Sequence, residues 1–228
     1  MAANRWRLKP TPREALRIMQ AGNERFAKGR ATHANSEAER LILAGSENQG
    51  DYAYATVITC SDSRVPVELI FDAGVMDIFV VRVAGNVSTP TTIASMEYGL
   101  SHVYTPLLIF LGHSQCGALT AAVRKFREGG PAGRKNLPDL LSKIMPAVQK
   151  AHAIYGDISD EDLIIKAIEE NVWLGIEELL RKSPTVCNFV LSGKVKILGA
   201  IYDIPTGAVE WLPEARVDQI LSRVAASG

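Results

Sequence analysis

The chain has 228 residues, of which 47% are hydrophobic and 22% are charged, a composition typical of a water-soluble globular protein. Its 25 basic and 25 acidic side chains give a formal charge of zero, so no basic surplus indicates a nucleic acid or an anionic membrane as partner. No apolar run approaches the roughly 20 residues of a membrane span, and the N-terminus lacks the apolar stretch of a signal peptide. Three cysteines are too few for a disulfide framework, which favours a reducing, cytoplasmic compartment.

The first 48 residues predict a helical arm. Pro12 opens an amphipathic helix, because proline is favoured in the first helical turn and apolar residues such as Met19 follow at helical spacing. This stripe needs a surface on which to be buried. A second helix is predicted over residues 37–44, with Gly45 as its C-terminal cap.

Residues 53–212 predict an α/β core. Apolar runs over residues 53–59, 78–83 and 107–112 predict strands, and helical patterns separate them. The run at 78–83 is apolar throughout, which favours burial on both faces. The predicted helices of this core cover residues 65–71, 89–104, 117–128 and 160–182.

The C-terminal part of this core predicts a hairpin, formed by residues 195–203 and 208–212 around a turn that contains Pro and Gly. A final helix follows within residues 213–228. Strands that alternate with helices predict a mostly parallel, doubly wound sheet, and the hairpin adds an antiparallel edge strand. We therefore expect residues 1–228 to form a single α/β domain with flanking helices.

Two other segments carry weaker expectations. Residues 129–133 contain three glycines and a proline and predict a short linker inside the α/β unit. Cys187, the third cysteine, is expected to be a half-buried thiol in or near a strand, with a structural role only.

Metal-ligating residue types follow two of the predicted strands. Cys60 and Asp62 come directly after the first strand, whereas His113 and Cys116 come after the strand at 107–112. In a parallel sheet the carboxyl ends of strands face one crevice. Two thiolates, one imidazole and one carboxylate form a tetrahedral Zn²⁺ ligand set, and the start of a helix near Cys116 favours its thiolate. The sequence therefore predicts a zinc site.

At these residues the chain resembles the β-class carbonic anhydrases. The segments 60–65 and 112–117 are similar to the two zinc-binding motifs of that family, and the stretch 79–86 continues the resemblance. It covers roughly residues 12–212. The resemblance implies zinc-dependent, reversible hydration of CO₂ to bicarbonate and a proton.

Asp62 and Arg64 decide whether the predicted zinc keeps an open position. A bidentate pair between them leaves that position for water, which a catalytic zinc acidifies, and the resulting zinc-bound hydroxide would attack CO₂. Asp62 would then orient the nucleophile. If Asp62 instead binds zinc as a fourth ligand, the site is closed.

The resemblance also implies a substrate pocket and a partner. Phe79, Ala84, Tyr98 and Gly117 occupy the positions that line the CO₂ pocket in the family. It further implies a homodimer or a multiple of dimers, with the N-terminal arm packed on a second subunit and the site near the interface.

Several residues depart from the family pattern or lie outside it. Asp51 and Ala73 stand where many relatives have Gln, which bears on bicarbonate contacts but not on the metal ligands. The remaining histidines lie outside any motif, and one of them is a possible proton shuttle: they are His33, His102 and His152.

Three alternatives compete with CO₂ hydration. Carbonyl sulfide or carbon disulfide is an alternative substrate for the same site. A purely structural zinc closed by Asp62 is another, although Arg64 argues against it because a structural site needs no competitor for its fourth ligand. A cysteine phosphatase loop fails on spacing, because it requires arginine where this chain has Pro66.

Overall fold

The fold is described from a computed structural model, which covers residues 9–129 and 136–226. The strands lie at Ala55–Thr59 (β1), Ile78–Arg82 (β2), Leu107–His113 (β3), Lys196–Tyr202 (β4) and Val209–Trp211 (β5). The helices lie at Pro12–Ala27 (α1), Ala38–Ser46 (α2), Val67–Ile70 (α3), Pro90–Ser101 (α4), Gly117–Glu128 (α5), Leu137–Tyr155 (α6), Asp160–Lys182 (α7), Pro184–Leu191 (α8) and Glu214–Ala226 (α9).

The five strands form one sheet in the order β2-β1-β3-β4-β5. The first four strands are mutually parallel, and β5 pairs antiparallel with β4. This confirms the predicted parallel sheet with an antiparallel edge. The register sets Thr59 of β1 opposite Leu111 of β3, so the residues that follow both strands emerge at the same edge of the sheet.

Both faces of the sheet are covered, because strand side chains alternate between them. Val57 and Ile109 face α1 and α3 in one apolar cluster, whereas Ile58 and Phe110 face α4 and α7 to α9 in another. A third cluster packs α5, α6 and α7 together and includes Cys60 and Cys116. The predicted zinc ligands therefore lie in a packed interior. No helix among residues 9–129 and 136–226 is long and apolar enough to cross a bilayer.

Three local predictions were wrong. Gly45 lies inside α2 and does not cap it, since that helix continues to Ser46. Strand β2 is half-buried along most of its length, because it lies at the edge of the sheet where one side lacks a neighbouring strand. Cys187 is half-buried as expected but lies in α8, a helix that begins directly after α7.

The predicted linker at 129–133 falls, beyond Gly129, outside the described residues.

Helix α1 packs on its own chain. Its apolar stripe is covered there, because Ala15 and Met19 are fully buried in the cluster that includes Ile70 and Phe71. The sheet face of the same chain therefore already covers the part of the stripe formed by Ala15 and Met19, which needs no second subunit for its burial.

One buried side chain fastens α1 to the sheet. The amide of Asn23 donates to the carbonyls of Ile70 and Gly207 at 3.1 and 2.9 Å, and its oxygen accepts from the amide of Val209 at 2.8 Å. Asn23 thereby links α1 to segments far away along the chain.

Replacing Asn23 with alanine should therefore destabilise the protein by about 2–4 kcal/mol, because three buried backbone groups lose their partner. For a chain of this size that corresponds to a fall in melting temperature of roughly 5–15 °C by calorimetry. Gln20→Ala, an exposed change on the same helix, is the matched control and should have little effect. An unchanged melting temperature for Asn23→Ala would contradict the packing described for α1.

Candidate metal centre

Three predicted ligands meet at the carboxyl edge of the sheet. Cys60 follows β1, His113 is the last residue of β3, and Cys116 is the N-terminal cap of α5. Their ligand atoms all lie within 4.8 Å of one another, and all three residues are buried. In the part of the chain that the structure describes, this is the group of histidine, cysteine and carboxylate side chains suited to holding a metal ion.

The chain reverses sharply between His113 and Cys116 so that both can reach one point. The amide of Ser114 donates to the Tyr202 carbonyl at 2.9 Å, which extends the pairing of β3 with β4 beyond the strand. Gln115 then adopts a left-handed backbone with a φ of 57°, and α5 begins at Gly117. The turn therefore brings the Cys116 thiol back beside the His113 ring.

The imidazole of His113 is oriented for metal binding. Its Nδ1 lies 2.9 Å from the carbonyl oxygen of Ser114, so Nδ1 carries the proton and donates it. Its Nε2 is buried and has no hydrogen-bond partner within residues 9–129 and 136–226. A buried nitrogen lone pair without a partner is costly, and a hydrogen bond from the opposite nitrogen is the usual support of a metal-bound histidine.

The two thiols influence each other's ionisation. A hydrogen bond with Cys116, helped by the adjacent His113 ring and by the backbone amide of Gly85 at 3.3 Å from Sγ, lowers the pKa of the Cys60 thiol well below its usual value. The same bond, together with burial, raises the pKa of Cys116. The pair therefore favours a state with one thiolate and one shared proton, and a cation bound between the sulfurs would replace that proton.

The donor set fits Zn²⁺. Two sulfurs and one imidazole nitrogen are ligands that zinc prefers, and the Nε2 atom of His113 needs a partner that none of the described residues supplies. Three protein ligands leave one tetrahedral position open, which is the pattern of catalytic zinc and not of structural zinc.

Asp62 is paired with Arg64. The Nε and Nη2 atoms of Arg64 donate to the two carboxylate oxygens of Asp62 at 3.0 and 2.7 Å, and the Arg64 amide donates to one of them at 2.9 Å. These bonds hold the pKa of Asp62 well below its usual range. Among the described residues, no carboxylate joins the cluster of the three ligands, so Asp62 is turned towards Arg64.

Two residues that the sequence did not single out for the site support this loop. Arg82 donates to the carbonyls of Asp62 and Cys60 at 2.7 and 3.3 Å. Gln115 accepts from Arg64 through both its side chain and its carbonyl. The position of Arg82 near this loop could have been predicted from the sequence, because Arg82 ends β2 and parallel pairing aligns the end of β2 with the end of β1.

The four predicted pocket residues fall into two groups. Ala84 lies in a 3₁₀ turn beside Gly85, whose amide reaches Cys60, and Gly117 begins α5 directly after Cys116. A methyl group added at Gly117 would meet no atom within 4 Å, so space is open there.

Phe79 and Tyr98 form the second group and do not lie with the metal ligands of their own chain. Phe79 pairs in register with Thr56, four residues before Cys60, which corresponds to roughly 13 Å along a strand. Its ring lies 5.9 Å from that of Tyr98, which stacks on His102 at 4.8 Å. Tyr98 is 49% exposed, so this aromatic group borders the outer edge of the sheet.

The residues that depart from the family pattern lie outside the cluster. Asp51 belongs to a 3₁₀ turn before β1, at the opposite end of that strand from Cys60. Ala73 follows α3 and donates its amide to the carbonyl of Glu68. His33 and His102 are exposed, and His152 lies within α6.

Comparisons with known proteins agree with this geometry. A family model described as carbonic anhydrase matches residues 55–209. Carbonic anhydrase 2 of Mycobacterium tuberculosis is 30% identical over 197 residues, which cover 86% of this chain and 90% of that protein. A carbonic anhydrase of Mycolicibacterium smegmatis is 30% identical over 200 residues, covering 87% and 92% of the two chains.

Solved structures show the same fold. The β-carbonic anhydrase CafA of Aspergillus fumigatus superposes with a TM-score of 0.71 at 25% identity, over 88% of this chain and 95% of that one. One of the two tetrameric β-carbonic anhydrases of Sordaria macrospora gives a TM-score of 0.64 at 25% identity, over 87% and 97%.

Proposed function

Because this chain belongs to the β-class carbonic anhydrase family, we propose that it binds one zinc ion through Cys60, His113 and Cys116 and hydrates CO₂ reversibly to bicarbonate and a proton. The observation that carries the proposal is the buried cluster itself. The Nε2 atom of His113 in this cluster has no partner in the described part of the chain, and the nearby Asp62 carboxylate is held by Arg64.

Zinc held by these three residues would lower the pKa of a bound water to about 7, the value typical of catalytic zinc. Asp62 remains ionised at neutral pH, because Arg64 depresses its pKa, and so can accept a hydrogen bond from the nucleophile. That bond would direct a lone pair of the nucleophile towards the CO₂ carbon.

Arg64 has a second role in this proposal, which is to keep Asp62 away from the metal. Asp62 has two competing partners, the guanidinium and the cation. The observed bidentate pair with Arg64 supports an open site. If Asp62 turned to the metal, it would occupy the open position and stop the reaction.

The proposal is tested by stopped-flow CO₂ hydration with zinc-loaded protein, and carbonyl sulfide and carbon disulfide are assayed in parallel. Hydration of CO₂ as the fastest reaction supports it. A preference for carbonyl sulfide or carbon disulfide would assign the same site to a hydrolase of those compounds. No activity with stoichiometric zinc would favour a structural metal site.

We also propose a reducing compartment such as the cytoplasm. Cys60 and Cys116 must both stay reduced, so that their thiolates can bind zinc, and their neighbouring side chains are close enough to be vulnerable to oxidation.

We further propose a homodimer or a multiple of dimers. Support comes from apolar side chains that the single chain leaves exposed: Leu41 is 58% and Ile42 is 75% exposed on α2, a helix that buries none of its residues. Edge strand β2 lacks a neighbouring strand on one side, and Tyr98 is 49% exposed, so they are further candidates for such a contact. The family resemblance implies that Phe79 and Tyr98 line the pocket and that the site lies near the interface, so we expect the aromatic pair of one copy to lie near the metal cluster of the other.

Ile42→Glu should therefore weaken self-association at least about tenfold, because it places a charge in a buried apolar contact. Light scattering at micromolar concentration measures this directly. Ile154→Glu, at a similarly exposed apolar residue on α6, is the control and should leave the mass unchanged. A stable and fully active monomeric parent would refute the dimer.

Deleting the first 30 residues would not test self-association alone, because α1 supplies core residues and its loss would also disturb the fold.

A further inference from the structure

Gln115 lies between two metal ligands without being one. We propose that it is the positioning residue that holds the Arg64 guanidinium against Asp62 and so keeps Asp62 off the metal. This inference deepens the proposed function and rests on it. It concerns an exposed residue whose side-chain and main-chain oxygens both accept hydrogen bonds from Arg64.

The side-chain hydrogen bonds of Arg64 are divided equally between Asp62 and Gln115. Its Nε and Nη2 atoms donate to the carboxylate of Asp62. Its Nη1 atom donates to the side-chain oxygen of Gln115 at 3.3 Å, and Nη2 also donates to the Gln115 carbonyl at 3.2 Å. Because a guanidinium has five N–H donors in a rigid plane, contacts on both of its sides fix its orientation as well as its position.

The backbone of Gln115 has a left-handed conformation in which both of its oxygens reach Arg64. Its φ of 57° is in the left-handed region, which is uncommon for a residue with a Cβ atom. Such a conformation persists where the surrounding structure imposes it. Here His113 and Cys116 anchor the two sides of the turn, and both oxygens of Gln115 reach Arg64.

The pair of Asp62 and Arg64 needs such support. The Arg64 side chain is 45% exposed, and exposed ion pairs are weak because water screens them and flexible side chains lose entropy. Arg82 binds the main-chain carbonyl of Asp62 but not its carboxylate. Of these neighbours, Gln115 is the one that restrains the guanidinium itself.

The test replaces Gln115 with methionine, which has the same length but lacks the strong amide acceptor. Cobalt(II) takes the place of zinc, and the visible spectrum at one fixed pH reports the ratio of open to closed sites. Arg64→Ala supplies the closed reference spectrum and Asp62→Ala the open one. We expect Gln115→Met to lower the open-to-closed ratio roughly fivefold, the effect of losing one net hydrogen bond. Metal content and melting temperature should stay unchanged.

Two controls separate positioning from a general structural effect. Gln149→Met, on the exposed surface of α6, should reproduce the parental spectrum. In the Asp62→Ala background no carboxylate remains to move, so Gln115→Met should change nothing there. Gln115→Ala is the second variant and should shift the parental ratio in the same direction.

A parental ratio in both Gln115 variants would overturn the inference. So would an equal spectral change with and without Asp62, since Gln115 would then act on the metal by another route. A parent that binds metal in the cluster but does not hydrate CO₂ would refute the proposed reaction, and the spectral ratio would still decide the role of Gln115.

Discussion

Replacing Arg64 with alanine should reduce CO₂ hydration at least about a hundredfold while the protein keeps its zinc. The variant removes both guanidinium bonds to Asp62 but none of the three proposed ligands. Asp62 is then free to occupy the open metal position. Losing an oriented reacting group is sufficient for an effect of about this size.

The measurement combines stopped-flow hydration with elemental analysis of zinc. Arg124→Ala, on the exposed surface of α5, is the matched control and should keep parental activity. Asp62→Ala should also lose activity, but through the missing acceptor and with the metal position still open. If Arg64→Ala keeps parental activity, or if a crystal structure above pH 8 has Asp62 on the metal of the parent, the proposed switch is wrong.

The low pKa of Asp62 constrains the interpretation of the expected pH dependence. Arg64 lowers the pKa of Asp62 from its ordinary value of about 4, so Asp62 stays ionised from weakly acidic to alkaline pH. A rise in activity through neutrality therefore cannot come from ionisation of Asp62. The rise in activity should instead follow the ionisation of the water that the metal would acidify. Low pH protonates this nucleophile and leaves the Asp62 carboxylate a better competitor for the metal. We expect the parental activity to increase through and above neutrality.

The double variant Cys60→Ala, Cys116→Ala should lose stoichiometric zinc and fall to the background rate of hydration. Both thiols belong to the buried cluster, and His113 alone cannot hold a metal at micromolar concentration. The change removes little volume from the interior, so the fold should remain and the effect should be on binding.

Cys187→Ala is the matched control for this experiment, because Cys187 is the remaining cysteine of the chain and lies in α8. It should retain both zinc and activity. Elemental analysis and circular dichroism distinguish loss of metal from loss of structure. Zinc retained at one equivalent in the double variant would exclude this cluster as the zinc site.

Local sequence patterns predicted most helices and strands. Helix α5 and the long helix α7 match their predicted spans, because their apolar periodicity and their terminal residues agree. The hairpin of β4 and β5 was predicted by its turn residues. The patterns could not place β2 at the edge of the sheet, because an apolar run has the same composition whichever strands become its neighbours.

The metal cluster was predictable and the support around it was not. Cys60, His113 and Cys116 follow strands, and parallel pairing by itself brings such residues together. Gln115 carries no such signal, since its bonds to Arg64 depend on a left-handed turn and on a neighbour 51 positions away. Phe79 and Tyr98 were assigned by resemblance to one pocket, and strand register separates them from the ligands of their own chain.

The sequence by itself determined which residues can bind a metal and at which strand ends they lie, because residue type and hydrophobic periodicity are local properties. The tertiary structure decided the rest. It turned Asp62 towards Arg64, aligned Arg82 and Gln115 around that pair, and packed α1 on its own sheet. These outcomes depend on register, on one positive backbone angle and on which surfaces remain uncovered, and each of them exists only once distant segments of the chain are in contact.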